Sequence, residues 1–227
     1  MLRAVRTAPL YVLLVLALLF AAIAMIRGPI PPQATNLTTV VFLGDSITQG
    51  QHTDDFTQDY TWQTVLGLRA KSARNAQQYL FDGVGGATVG AFLGHLQALN
   101  LHPSSAQLIV VELGTNDYLN NVPPATVEQN YTALLLYLAA NNPVARLVAL
   151  TVWGDPVAES AYNSAIAQAA ATWTGVGGRA IVDLGPLFLN PLNHWPTGDT
   201  FHPNDAGQTA IAQAVLAAVP NTGPSTP

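Results

Sequence analysis

The stretch Thr39-Val40-Val41-Phe42-Leu43-Gly44-Asp45-Ser46-Ile47-Thr48-Gln49-Gly50 decides the fold of this chain. Its first five residues lack polar alternation, which reads as a short strand covered on both faces, as in parallel sheets. Glycine then turns the chain, and Ser46 follows between Asp45 and an expected helix start. Four more runs of similar character occur downstream: Tyr79 to Phe81, which is weaker, Leu108 to Leu113, Leu147 to Val152 and Ala180 to Leu184. Between them, Trp62 to Ala73, Val89 to Leu99, Ala125 to Ala140 and Ala158 to Trp173 have helical spacing. Asp205 to Val219 makes a last helix, with Asn204 as its N-cap. Strand and helix alternate, so the expected class is α/β with a five-stranded parallel sheet and crossover helices. In such a sheet ligands sit at the carboxyl ends of the strands.

Composition narrows the function classes. The chain has 227 residues, 49% of them hydrophobic and only 9% charged, which fits one folded domain and excludes a disordered chain. It contains no cysteine, so a disulfide scaffold, a thiolate metal site and a cysteine nucleophile are excluded. Eight basic residues in a chain of net charge −5 leave no footprint for nucleic acid.

The N-terminus carries a separate signal. Ala8 to Ile26 is a 19-residue run without a charge, preceded by Arg3 and Arg6, which is long enough to span a bilayer. Residues 1–27 therefore read as a signal anchor, or alternatively as a cleaved signal peptide through the small-x-small site Ala22-Ile23-Ala24. Either reading places the body outside the cytoplasm. Residues 28–37 form a proline-containing spacer, 38–219 the folded domain and 220–227 a disordered tail. Beyond residue 27 there are five basic residues against thirteen acids, so the body carries −8 and is repelled by polyanions.

Four polar clusters fall on the expected ligand edge: Gly44 to Gly50, Gly83 to Thr88, Gly114 to Asp117 and Asp199 to Asn204. The first lacks the Lys-Ser/Thr of a phosphate loop. The second has Thr88 where a dinucleotide fingerprint needs its third glycine. A metal held by His194, Asp199 and His202 matches no known spacing and lacks a fourth ligand. The clusters do contain the parts of an acyl-transfer site. Ser46 is an exposed nucleophile in a strand-to-loop turn. Asp199 and His202, three apart, can put a carboxylate on one imidazole nitrogen and leave the other for Ser46. Gly86 can offer an unobstructed backbone N–H, and Asn116 a side-chain amide.

The same residues resemble the SGNH (GDSL-type) hydrolase family along Val40 to Val219. Gly-Asp-Ser-Ile-Thr-x-Gly around Ser46, Gly86, Gly114-Thr115-Asn116-Asp117 and Asp199-x-x-His202-Pro203-Asn204 match its four blocks in order. The resemblance implies a flavodoxin-like three-layer α/β/α sandwich and a catalytic triad of Ser46, His202 and Asp199. It also implies an oxyanion hole made of the Ser46 and Gly86 N–H groups and the Asn116 side chain, with no metal or organic cofactor. One departure is Phe81, where the family often has asparagine five residues before the second-block glycine; this leaves Gly85 as a competitor of Gly86. The expected activity is a serine esterase acting on short-chain esters or O-acetyl groups of carbohydrate, working as a monomer. The alternatives are a lysophospholipase or thioesterase and, less readily, a membrane-anchored binding module without chemistry. Asp45 and Asp117 read as hydrogen-bonders of their loops. Among the other histidines, His52, His95 and His102 read as structural, and His194, beside Trp195, as a candidate pocket residue. Trp153, after the fourth strand, is placed to border the substrate.

Overall fold

The structure is a computed structural model that describes residues 39–71, 78–199 and 201–220. The sheet is built from β1 (Thr39–Gly44), β2 (Gln78–Gly83), β3 (Leu108–Glu112), β4 (Arg146–Leu150) and β5 (Arg179–Val182). All neighbouring strands are parallel, in the order β2-β1-β3-β4-β5. This is the flavodoxin-like winding, in which the chain reverses direction across the sheet between β1 and β3. The crossovers are α1 (Tyr60–Lys71), α2 (Val89–Ala98), α4 (Pro124–Asn141) and α5 (Ser160–Ala171), and α7 (Asp205–Ala218) closes the fold. Two short helices, α3 (Thr115–Leu119) and α6 (Gly185–Phe188), occupy loops after β3 and β5.

Residues of the central strands point alternately into two cores, which explains why their sequences are apolar throughout. Val41, Leu43, Ile109, Val111, Leu147 and Ala149 pack with Phe92 and Leu96 of α2, Tyr131 and Leu134 of α4 and Ile166 of α5. Val40, Phe42, Leu108, Val110, Val148 and Leu150 pack with Tyr60 and Val65 of α1 and Ile211 and Val215 of α7. Three layers result. Helix ends follow local chemistry: Pro124 sits in the first turn of α4, and the Asn204 side chain caps α7 by accepting from Gly207 N at 2.9 Å.

Several elements differ from the sequence reading. No helix begins at Ser46; residues 46–52 form hydrogen-bonded turns, and Gly50 (φ 73°) and His52 (φ 69°) in the left-handed region stop them from propagating. The first regular helix starts only at Tyr60, after a 3₁₀ turn at Phe56–Gln58 capped by Asp55. β4 ends at Leu150 and not at Val152, because the Val152 N–H turns to the Asn163 side chain (3.0 Å). β3 stops at Glu112. No helix among the described residues is long and apolar enough to cross a membrane. Residues 1–27, the spacer 28–37 and the tail from 221 lie outside the described residues.

One buried side chain fastens α7 to the first strand–helix connection. Gln208, fully buried, accepts from Tyr60 N at 2.9 Å through its carbonyl and donates to Ile47 O at 3.2 Å through its amide. Gln208→Leu keeps the volume but strands the Tyr60 N–H in the interior, at about 1–3 kcal/mol, while Ile47 O keeps its bond from Gly50 N (3.2 Å). The expected result is a stability loss of roughly 2 kcal/mol with an unchanged urea m-value, measured by equilibrium unfolding.

Candidate active site

The loops after β1, β2, β3 and β5 meet above the sheet, around the reversal point between β1 and β3. Ser46 directly follows Asp45 in the turn after β1. Its Oγ lies 2.9 Å from His202 Nε2, and His202 Nδ1 lies 2.5 Å from Asp199 Oδ2. Three groups from distant parts of the chain thus form one relay that can carry a proton away from a hydroxyl. With a proton on Nδ1 facing Asp199, Nε2 is left to accept from Ser46.

The His202 loop is held from several directions. Asp199 Oδ1 accepts from Phe201 N at 2.8 Å and His202 N at 3.0 Å. Partial burial alone would raise the Asp199 pKa, but these N–H groups and the imidazole outweigh it and hold it at about 2. The Trp153 indole donates to Phe201 O at 2.8 Å, and Asn204 donates to His194 O at 2.7 Å. Trp153 is therefore not a border of the substrate; it is fully buried and anchors the loop from below. His194 also turns inward, packing between Trp153 and Phe188 with its Nε2 on Phe188 O, so it joins no cluster with Asp199 and His202.

Groups able to donate hydrogen bonds flank the turn that carries Ser46. Gly86 lies in the left-handed region (φ 76°), and the space where a Cβ would stand is open. Among the described residues nothing accepts from the Gly86 or Ser46 N–H. A Cβ on Gly85 would come 3.9 Å from Ser46 Cβ, which places this loop against the serine. The loop is held by Val84 N donating to Gly44 O (2.9 Å) and Val89 N donating to Asp117 Oδ2 (2.9 Å), anchors that do not involve the asparagine position occupied here by Phe81. Asn116 Nδ2 donates to Asp45 Oδ2 at 2.9 Å, fixing the amide beside the turn and leaving its second N–H for another acceptor. Asp45 also accepts from Ile47 N at 3.0 Å, so Asp45 and Asp117 are loop organisers, as expected.

Two site residues escape the sequence reading. Glu112, hidden at the end of an apolar run, is fully buried; it accepts from Thr48 Oγ1 at 3.0 Å and from Asp45 N at 3.5 Å, and its Oε1 has no partner among the described residues. An acid ending an otherwise apolar strand was the available signal. Burial pushes Asp45 up to about 6, against its hydrogen bonds, and burial together with the neighbouring Asp45 pushes Glu112 well above the carboxylate range. His52, read as structural, places Nε2 3.2 Å from Asp199 Oδ2. His52, Trp195, Thr197 and Asp199 line an open cavity of about 250 Å³.

Residues 42–210 match the model of the GDSL-like lipase/acylhydrolase family. Comparison with curated proteins finds no match. Among solved structures, the chain is similar to the acetyl xylan esterase AlAXEase, with 21% identity and a TM-score of 0.62 over 80% of this chain and 100% of that one. It is also similar to TesA, with 24% identity and a TM-score of 0.60 over 82% of this chain and 99% of that one. A lipase from a goat rumen metagenome has 15% identity and a TM-score of 0.66 over 79% of this chain and 96% of that one. At these identities the likeness establishes the fold.

The buried acids make stability depend on pH. With both native pKa values raised, the folded chain binds more protons than the unfolded one, so stability falls as pH rises through the Asp45 window from 3.8 to about 6 and beyond it for Glu112. Glu112→Gln keeps the shape and removes one titration. Relative to the unsubstituted protein, its urea midpoint should improve as pH rises above the ordinary carboxylate range. An offset that does not change with pH would contradict the buried-acid account.

Proposed function

This chain belongs to the GDSL-like lipase/acylhydrolase family and is an ester-bond hydrolase, and on that premise we propose that it is a serine esterase removing short acyl groups, O-acetyl groups of carbohydrate first among them. Ser46 Oγ attacks the ester carbonyl while His202 Nε2 takes its proton. Asp199 holds the imidazole in the required tautomer and stabilises it once charged. The negative charge on the tetrahedral oxygen falls on the Ser46 and Gly86 N–H groups and the free N–H of Asn116. His202 then protonates the departing alcohol, and water repeats the sequence in reverse to release the acid.

The observation that carries this reading is the continuous relay from Ser46 Oγ through His202 to Asp199, at 2.9 and 2.5 Å. The short-acyl preference draws support from the modest cavity of about 250 Å³ beside Asp199. A larger groove of about 770 Å³ runs along the β2 edge, between Tyr79 to Asp82 and Leu101 to Ser104, and includes none of Ser46, Asp199 or His202. The similarity to an acetyl xylan esterase and the low charge of the chain, 9%, suit an uncharged acetylated glycan. Likeness to a lipase favours the second reading, a lysophospholipase or thioesterase with longer acyl groups. In either case the domain works as a monomer outside the cytoplasm, carried there by residues 1–27 acting as anchor or signal, with no cofactor.

Ser46→Ala should lower hydrolysis of a nitrophenyl acetate by about 10³-fold or more, with folding unchanged by circular dichroism. Across esters from acetyl to palmitoyl, the rate should drop at least about tenfold past butyryl. Retained turnover in Ser46→Ala removes the serine assignment. A rate rising toward palmitoyl selects the lipolytic reading.

A further inference from the structure

Asp199 faces two histidines, and His52 Nε2 also lies 3.2 Å from Gln51 Nε2. Asp199 Oδ2 is 2.5 Å from His202 Nδ1 and 3.2 Å from His52 Nε2, and the two imidazole centroids stand 5.3 Å apart. One donor atom from each of the three residues lies within 4.8 Å of the other two. His52 is not a stray surface side chain. Its loop is fastened by Gln51 N to Ser46 O (3.0 Å), and Thr53 Oγ1 donates to Gly50 O (2.8 Å) and to Asp59 Oδ1 (2.7 Å). The His52 side chain is 48% exposed and shares the small cavity with Trp195, Thr197 and Asp199, so an ion and its water can reach His52 and Asp199.

Two imidazole nitrogens and one carboxylate oxygen, with an open fourth direction, are the donor set of a tetrahedral zinc ion carrying one water. Magnesium and calcium prefer oxygen throughout. At zinc–ligand distances of about 2.0–2.1 Å, tetrahedral donors stand about 3.4 Å apart, so the His52 to Asp199 spacing already fits. The His202 to Asp199 spacing must open by less than about 1 Å.

We propose that His52, Asp199 and His202 form a zinc site that switches this hydrolase off. The inference rests on the triad reading of Ser46, His202 and Asp199. Zinc takes the lone pair of His202 Nδ1, and the proton that Nδ1 carried moves through solvent to Nε2. The imidazole stays neutral and no proton is lost overall. Nε2, now protonated, donates toward Ser46 Oγ and cannot accept its proton, so attack on the ester stops. Asp199 turns from orienting the imidazole to holding the cation, and His52 supplies the ligand that makes the cluster more than a bidentate contact.

Zinc chloride titrated into the full chain by calorimetry, alongside ester hydrolysis in metal-free buffer, tests this. The expected result is one zinc per chain, hydrolysis lost in step with binding and restored by EDTA. His52→Ala should weaken both zinc binding and inhibition by about ten- to a hundredfold, each measured against its own zinc-free rate. His95→Ala, which removes the separate His95 to Asp82 contact (3.1 Å), should leave inhibition unchanged. Ser46→Ala should still bind zinc, so the binding measurement stands even if the hydrolase assignment fails. The proposal is overturned if His52→Ala binds and is inhibited like the unsubstituted protein, if His95→Ala relieves the inhibition, or if the unsubstituted protein binds no zinc at about 1 mM.

Discussion

Gly44 ends β1 with no side chain because there is no room for one. A Cβ there would stand 2.5 Å from the Glu112 carbonyl oxygen and against the Thr48 side chain. This close approach lets the turn after β1 fold back over β3 and seal two carboxylic acids, Asp45 and Glu112, beneath it. Neither acid can be hydrated, so each is tied to its surroundings. Thr48 bridges Glu112 to the Tyr60 hydroxyl (3.0 and 2.9 Å), and Asp45 links Ile47 N to the Asn116 amide (3.0 and 2.9 Å). Gln208 extends the same network to α7. The serine above is thus positioned by a buried polar net that joins β1, β3, α1 and α7, and such nets fix one arrangement because each unpaired member is costly.

Fixation extends to the base. His202 sits in a loop whose main chain is tied to Asp199, Trp153 and Asn193, the last through Asn204 N to Asn193 O at 3.0 Å. The Asn204 side chain at the same time caps α7. A rigid helix end therefore carries the imidazole, and the proton relay needs no reorganisation when substrate arrives.

Much of this was legible in the sequence because it is local. A strand that is apolar throughout, followed by glycine and a polar cluster, carries its own signature, and four such clusters identified the loops that meet. The parallel order and the contacts of Ser46, His202 and Asp199 agree with it. What escaped depends on depth and on partners far along the chain. Glu112 has no neighbour in sequence that marks it as an acid beneath a serine. His52 gains its meaning only from Asp199. Trp153 follows a strand toward the site, yet the loop carrying Phe201 closes over it and makes it core. Boundaries shifted where side chains captured backbone groups, as Asn163 does at Val152, and one-dimensional periodicity contains no trace of such captures.

The two groups of the proposed proton transfer are 156 residues apart, with the serine in the turn after the first strand and the imidazole two residues before the cap of the last helix. A chain emerging from the ribosome N-terminus first presents Ser46 long before His202 exists to activate it. Every strand pairing must also form across a crossover, so the sheet is assembled through nonlocal steps before the final helix can dock. On the proposed triad, nascent and partly folded chains carry an inert alcohol. With that assignment, esterolysis waits until the last loop has docked against the first turn, so activity reports closure of the fold.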